Sequence, residues 1–145
     1  MEIKFKKVHT VKDLVISAAI VLAGAGLFFV NAGLGIIVAA CGIISLLIFK
    51  TGYKREGEDL LLEYKAMDVD HSCRQSLKDF LDGKDVTPEI KAQENGGIVR
   101  LEVYFNRTSG VAYAQLFDFS SYTYEKATEI VELRSPRAEK LINKL

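Results

Sequence analysis

Hydrophobic residues are concentrated in one uninterrupted stretch near the N-terminus, whereas the rest of the chain alternates between short apolar and polar runs. Residues 14–49 carry no charged side chain, and about 18 apolar residues already suffice to cross a bilayer. One straight helix of this length would extend about 54 Å, but the hydrocarbon layer is only about 30 Å thick. We therefore predict two transmembrane helices, at about 14–30 and 34–49, with a turn at 31–33 where Asn31 and Gly33 both tolerate positive φ.

Small residues recur at helical spacing along both predicted spans. Such stripes let helix backbones approach closely in lipid, where no hydrophobic effect drives helices together. The stripes either hold this hairpin together or pack it against another membrane subunit or a second copy. The six positions are Ala19, Ala23, Gly26, Gly35, Ala39 and Gly42.

Basic residues flank the outer ends of the two spans, and the turn between the spans carries no charge. Lysine and arginine accumulate on the cytoplasmic side of membrane helices. We therefore expect both termini to be cytoplasmic in a multi-pass protein of the bacterial inner membrane, with the lipid bilayer as a partner. On this reading, residues 1–13 form a basic cytoplasmic segment and residues 50–57 form a juxtamembrane connector.

Two processing signals within the apolar stretch are open alternatives. Ala23-Gly24-Ala25 resembles a signal peptidase site, and Val38-Ala39-Ala40-Cys41 resembles a lipoprotein box. In both cases the apolar stretch continues beyond the signal, where a processed protein normally becomes polar. An ordinary pair of membrane spans is therefore the better interpretation.

The remaining chain, residues 58–145, has the patterns of a small α+β domain. The period-2 alternation of apolar residues predicts an antiparallel sheet of three or four strands, and two segments with helical spacing predict two helices on one face. Residues 58–66 fit a strand better than a helix, although their apolar residues match both periods. In chain order we predict a strand at 58–66, a helix at 73–82 capped by Ser72, a loop at 95–97, a strand hairpin at 98–106 and 111–119, a strand at 127–133 and a final helix capped by Ser135.

Charge is divided unevenly along the neutral chain. Residues 1–55 hold seven Lys and Arg against two Asp and Glu, a net charge of +5, and the remainder holds twelve against seventeen, a net charge of −5. A negative domain gains no energy from counterion release on a polyanion. The balance therefore argues against a nucleic-acid partner.

One cluster carries side chains that are typical of metal ligands or catalysts. Asp70, His71 and Cys73 lie within four residues, but a closed zinc site needs four ligands. The same residues are also typical of a helix N-terminus, and that is the interpretation we favour. We expect no catalytic residue, no metal and no cofactor, and the two cysteines form no disulfide framework.

Aromatic and apolar residues of the predicted hairpin and terminal helix are candidates for contact with a protein partner or a second copy. Both faces of the strand at 111–119 are largely apolar, which suits a strand that is covered twice. Aromatic cross-strand pairs that merely stabilise the hairpin are the alternative. The candidate positions are Tyr113, Phe117, Phe119, Tyr122, Leu141 and Leu145.

These patterns favour a non-enzymatic, membrane-anchored interaction module or an accessory subunit of an inner-membrane complex. One alternative is a ligand-responsive sensor or membrane effector with a two-helix transmembrane segment. A second alternative is an enzyme that uses the cluster at residues 68–73.

Overall fold

A computed structural model describes residues 2–93 and 97–145 of the chain. The chain divides into two compact units, one formed by Lys4–Asp59 and the other by Leu60–Leu145 together with Glu2 and Ile3. Four helices and two antiparallel sheets within the described residues place the protein in the α+β class. Of the loop predicted at 95–97, only Gly97 lies within these residues.

The first unit contains a helical hairpin, formed by α1 (Val11–Phe28) and α2 (Ala32–Ile48). Both helices begin earlier than predicted, because each has a side-chain cap. The Thr10 hydroxyl accepts from the backbone N–H of Asp13, which completes a capping box, and Asn31 accepts from the backbone N–H of Leu34 at 3.1 Å. The chain therefore reverses at 29–31 rather than at 31–33.

The two helices differ in how well they meet the usual criterion for a membrane span. Helix α1 has 18 residues and is long and apolar enough to cross a membrane, whereas α2 is apolar but has only 17 residues. Among the helices in the described ranges, α1 alone meets this criterion. The helical hairpin is present, but a membrane hairpin of two spans is not confirmed.

A two-stranded antiparallel ribbon joins the ends of the hairpin. Strand β1 (Phe5–Val8) pairs with β2 (Gly52–Arg55), so the predicted N-terminal segment and connector are partners rather than separate pieces. We did not predict these strands, because a four-residue run rich in lysine has little β pattern of its own.

The second unit contains a five-stranded antiparallel sheet. The central strand β5 pairs along its length with β4, and the ten residues of β5 are enough for two short strands to share its other edge. The sheet has more strands than the three or four predicted. Its strands are β3 (Glu63–Val69), β4 (Val99–Asn106), β5 (Val111–Ser120), β6 (Thr123–Lys126) and β7 (Val131–Arg134).

Several predictions for this unit are confirmed and others need correction. The hairpin of β4 and β5 with its turn at 107–110 is present as predicted. The first segment is a strand, although it begins five residues later than expected. The strand predicted at 127–133 corresponds to β7, which begins four residues later than expected. Strand β6 was not predicted, since its sequence has no hydrophobic alternation to reveal it.

Two helices cover one face of this sheet, as predicted. Helix α3 (Arg74–Leu81) follows a single 3-10 turn at His71–Cys73, and α4 (Arg137–Ile142) follows β7. Their apolar residues join those of the strands in one core. The predicted Ser135 cap is wrong: Pro136 precedes α4 without a side-chain cap, and the Ser135 hydroxyl donates to Glu139 instead.

Candidate functional site

The contact between α1 and α2 is made by glycines. A Cβ atom on Gly35 would lie 2.4 Å from the backbone nitrogen of Phe28, and one on Gly24 would lie 2.4 Å from the backbone nitrogen of Ala39. A Cβ atom on Gly42 would lie 2.8 Å from the backbone nitrogen of Val21. These distances are well below the roughly 3.5–4.0 Å of ordinary carbon contacts. The helices therefore touch backbone to backbone.

Two serine side chains of the hairpin point inward. Ser17 and Ser45 are buried between the helices, and the Ser45 hydroxyl lies 2.9 Å from the Ser17 hydroxyl and 2.7 Å from the carbonyl oxygen of Gly42. A hydrogen bond between helices in an apolar setting contributes about 0.6–2 kcal/mol. The surface between the two helices is thus lined by small residues and by hydroxyl groups.

The large apolar side chains of the hairpin point outward. Leu22 is 72% exposed, Leu47 is 70% exposed and Ile36 is 61% exposed. In a water-soluble helix pair these side chains would fill the core and the polar ones would face water. The hairpin has the opposite arrangement.

Hydrogen bonds close the open end of the hairpin at Asp13. The backbone N–H groups of Thr10 and Thr51 donate to the same carboxylate oxygen, each at 2.9 Å, and the Thr51 hydroxyl donates to the other oxygen at 2.8 Å. His9 Nδ1 lies 2.8 Å from the carbonyl oxygen of Phe49. We call these five residues the closing cluster.

Only some of the predicted packing residues lie at the helix contact. Gly35, Ala39 and Gly42 of α2 lie there. On α1 the contact uses Ser17 and Gly24, which share a helix face with Asp13. The predicted stripe on α1 lies elsewhere: Ala19 and Ala23 are exposed, and a Cβ atom on Gly26 would meet no atom within 4 Å. The spacing of small residues fits two different faces of α1 and does not show which one meets α2. The carboxylate of Asp13, on the same face as Ser17 and Gly24, was the signal in the sequence that could have identified the contact face.

The predicted partner-facing residues divide into buried and exposed groups. Tyr113 and Leu141 are buried, so neither can face a partner; Leu141 belongs to the core beneath the sheet. Leu145 is partly buried against that core. Phe119 is 42% exposed and Tyr122 is 95% exposed, and both lie at the turn between β5 and β6. Phe117 is half-buried.

This turn has an unusual backbone. Ser121 and Tyr122 have φ values of 49° and 66°, in the left-handed region that glycine and asparagine adopt most easily. The rings of Phe119 and Tyr124 lie next to it, with centroids 5.1 Å apart. We call Phe119, Tyr122 and Tyr124 the aromatic tip.

Two arginine–aspartate pairs lie beside the aromatic tip. Arg100 donates to Asp68 at 2.9 Å, and the Tyr124 hydroxyl shares its one hydrogen between Asp68, at 3.2 Å, and the Gly97 carbonyl oxygen, at 3.0 Å. Burial alone would raise the pKa of Asp68, but the hydrogen bonds and charge of Arg100 outweigh burial and lower it. The carboxylate is thus held charged and paired, as in a structural network.

Arg74 and Asp118 form the second pair. Arg74 donates from two nitrogens to the two carboxylate oxygens of Asp118, at 2.8 and 2.7 Å. This bidentate contact lowers the pKa of Asp118. The contact links α3 to β5.

The cluster predicted at residues 68–73 does not converge on one point. Asp70 accepts from the backbone N–H of Ser72 at 2.9 Å and so caps the 3-10 turn, whereas α3 has no side-chain cap and the cap predicted at Ser72 is wrong. Cys73 is fully buried in the core. Within residues 2–93 and 97–145, no three His, Cys, Asp or Glu side chains lie close enough together to hold a metal ion.

Comparison of the chain with protein-family models, with curated proteins and with solved structures gives no match. The hairpin, the closing cluster and the aromatic tip are the structural features that bear on function.

Proposed function

We propose that this chain is a non-enzymatic interaction module that its helical hairpin anchors in the inner membrane, as an accessory subunit of a membrane complex. The observation that carries the proposal is the inverted hairpin, with glycine and serine inside and leucine and isoleucine outside. Lipid is the solvent that favours this arrangement, because small residues and hydroxyl groups then supply the helix contact.

The exposed apolar surface supports lipid rather than water as the surroundings of the hairpin. Fifteen large apolar side chains of α1 and α2 are at least 39% exposed. Full burial of such a side chain contributes about 1.5–3 kcal/mol, so partial burial at roughly 1 kcal/mol each amounts to about 15 kcal/mol. That sum equals the upper end of the total stability of a typical domain, about 5–15 kcal/mol. Leaving this surface in water would cost too much.

The helix lengths suit two short spans. At about 1.5 Å per residue, α1 is about 27 Å long and α2 is about 26 Å long, against a hydrocarbon layer of about 30 Å. A slightly short span is accommodated by local thinning of the bilayer at a modest cost. The basic residues at the ribbon end favour a hairpin with both termini in the cytoplasm.

The aromatic tip supplies the surface for a protein partner. Tyr122 is almost fully exposed in a strained backbone conformation, which an asparagine or a glycine would adopt at lower cost. Strain of this kind is often retained where a side chain is needed for recognition. Tyrosine is also enriched at the centres of binding interfaces.

Membrane fractionation tests the anchor. Alkaline carbonate should leave the full chain in the membrane pellet, and detergent should release it. Reporter domains fused after Leu145 and inserted between Asn31 and Ala32 should report the cytoplasm and the periplasm, respectively. A chain that carbonate releases is not integral to the membrane, and a periplasmic reporter at Leu145 would reverse the topology.

Affinity purification in mild detergent tests the interaction. The parent chain should retain a partner protein that Tyr122→Ser loses. Lys140→Ser, at an exposed position on α4, is the matched control. Equal recovery from all three chains would rule out the aromatic tip as the binding surface.

A membrane effector is the second candidate, and the free stripe on α1 favours it. Ala19, Ala23 and Gly26 are exposed and are not used by the hairpin contact, so α1 could pack against α1 of another copy. Overexpression should then be toxic, and Gly26→Leu should abolish the toxicity. Toxicity that persists in Gly26→Leu would argue against clustering through this stripe.

A further inference from the structure

We propose that the ribbon of β1 and β2 binds anionic phospholipid headgroups through the ammonium groups of Lys6 and Lys54. The proposal rests on the membrane anchor proposed above and adds a class of lipid and the residues that hold it.

Lys6 and Lys54 are directly opposite each other in the ribbon. Side chains at such positions have Cβ atoms about 4.5–5.5 Å apart, and like charges there destabilise the pair of strands. An anion between the two ammonium groups removes that repulsion. The strand register thus builds a small site for a phosphate group.

The two lysines are only weakly neutralised by the protein. Lys54 pairs with Asp59 at 3.0 Å, but the Asp59 side chain is fully exposed, and such surface pairs contribute little. Within the described part of the chain, Lys6 is exposed and makes no ion pair. A lipid phosphate can therefore contact both ammonium groups.

The ribbon begins close to the ends of the helices. Two residues separate β1 from α1 and three separate α2 from β2. Lys6 and Lys54 lie two residues into the ribbon, about 7 Å from its start at about 3.4 Å per residue. This distance is within the Debye length of about 8 Å at physiological salt. Headgroups that reach the start of the ribbon are thus within electrostatic reach of both lysines.

The junction between ribbon and hairpin is fixed by the closing cluster. Thr51 immediately precedes β2 and donates twice to Asp13 of α1, while His9 of the other connector contacts the carbonyl oxygen of Phe49. Both connectors are therefore tied to the helices. A rigid site loses less entropy on binding than one that must first be ordered.

The charge of the whole unit complements an anionic surface. Residues 4–59 carry seven Lys and Arg against four Asp and Glu, a net charge of +3. One of the four carboxylates, Asp13, is occupied in the closing cluster, and another, Glu58, pairs with Arg55 at 3.2 Å. The outward-facing apolar side chains of the hairpin continue from this basic end. The combination of basic ribbon and apolar helices fits a phospholipid rather than a soluble anion.

Lipid retention by the full chain tests the proposal. The chain is reconstituted into vesicles with equal amounts of phosphatidylglycerol and phosphatidylcholine and re-extracted in maltoside, and the bound lipids are quantified. Phosphatidylglycerol should be enriched in the parent chain. In the variant K6Q/K54Q, the enrichment should fall about fivefold for each lysine that is replaced. K6R/K54R, which keeps both charges, should retain it, and K140Q/K144Q, with the same loss of charge on the other unit, should match the parent.

Two further measurements distinguish binding of a lipid headgroup from binding of other anions. Salt at about 1 M shortens the Debye length to about 3 Å and should reduce the enrichment. Inorganic phosphate at the concentration of the lipid phosphorus should not displace the lipid; displacement would assign a site for free anions and overturn the proposal.

Other outcomes would also overturn the proposal. Equal retention of both lipids by the parent chain would do so, as would equal losses in K6Q/K54Q and K140Q/K144Q. Loss in K6R/K54R would show that charge is not what binds the headgroup. None of these results bears on the membrane anchor, which carbonate extraction of the same preparations tests separately.

Discussion

Replacing Gly42 by leucine should force the two helices of the hairpin apart, whereas the same change at Gly26 should leave them in contact. The first added atom on Gly42 would already lie 2.8 Å from the backbone nitrogen of Val21 and 2.6 Å from its Cγ2 atom. The corresponding atom on Gly26 would meet nothing within 4 Å. The two variants have the same composition and change the same residue type.

The free-energy cost of Gly42→Leu follows from this close contact. Overpacking a tight contact costs about 1–3 kcal/mol, and a leucine against backbone belongs at the upper end of that range. At about 1.4 kcal/mol per factor of ten, a loss of about 3 kcal/mol lowers the ratio of closed to open hairpin about a hundredfold. Gly26→Leu should be neutral or slightly stabilising, since leucine favours a helix by about 0.5–1 kcal/mol over glycine.

Disulfide formation across the contact measures this effect. The hydroxyls of Ser17 and Ser45 lie 2.9 Å apart, so cysteines at both positions should join rapidly under mild oxidation. The assay uses membranes containing the full chain with Cys41 replaced by serine. Adding Gly42→Leu should slow the cross-link by at least tenfold, and adding Gly26→Leu should not.

Two results would refute this reasoning. A cross-link that forms as fast with Gly42→Leu as without it would mean that the helices do not meet at residue 42. Equal slowing by both variants would mean that leucine disturbs membrane insertion rather than the helix contact.

Three other predictions concern the second unit, with unfolding of the full chain followed in urea and mild detergent. Tyr122→Asn should raise the free energy of unfolding by about 1 kcal/mol, because asparagine adopts positive φ at lower cost; an unchanged value would mean that the turn is not strained. Leu141→Ala should cost about 2–5 kcal/mol and Leu145→Ala clearly less, because only Leu141 is fully buried; equal losses would contradict that burial. Arg74 lowers the pKa of Asp118, so its contribution is complete above the ordinary aspartate pKa of about 3.9 and is lost as pH falls through the lower folded value. Arg74→Gln should therefore reduce stability at neutral pH and flatten its decline in acid, and an unaltered pH profile would contradict this pairing.

The helical hairpin shows how much of the structure the hydrophobic pattern of the sequence predicts. The absence of charge over residues 14–49 predicted two helices with a reversal near Asn31, and the structure has both. The same pattern did not locate the contact face of α1, because Ala23, Gly24 and Gly26 are all small. Which of them meets α2 depends on how the two helices rotate against each other. Gly24 lies at the contact and Gly26 does not.

The residues predicted to face a partner show a second limit of prediction from the sequence. Apolar residues at helical spacing predicted one apolar face on the terminal helix, and Leu141 lies on it. Periodicity identifies such a face but does not show what covers it. The core of the second unit already covers Leu141, whereas Phe119 and Tyr122 from the same set of candidates are exposed.

Local signals in the chain were enough to establish the apolar hairpin, the strands β4 and β5 and the helix α3, because each depends on the periodicity or capping of neighbouring residues. The ribbon of β1 and β2, the closing cluster around Asp13 and the pairing of Lys6 with Lys54 were decided only in three dimensions. They join residues about 40 or more positions apart, and no short-range pattern records which distant segments meet. Their partners are set by the antiparallel return of α2 along α1, which brings both ends of the apolar stretch to the same place.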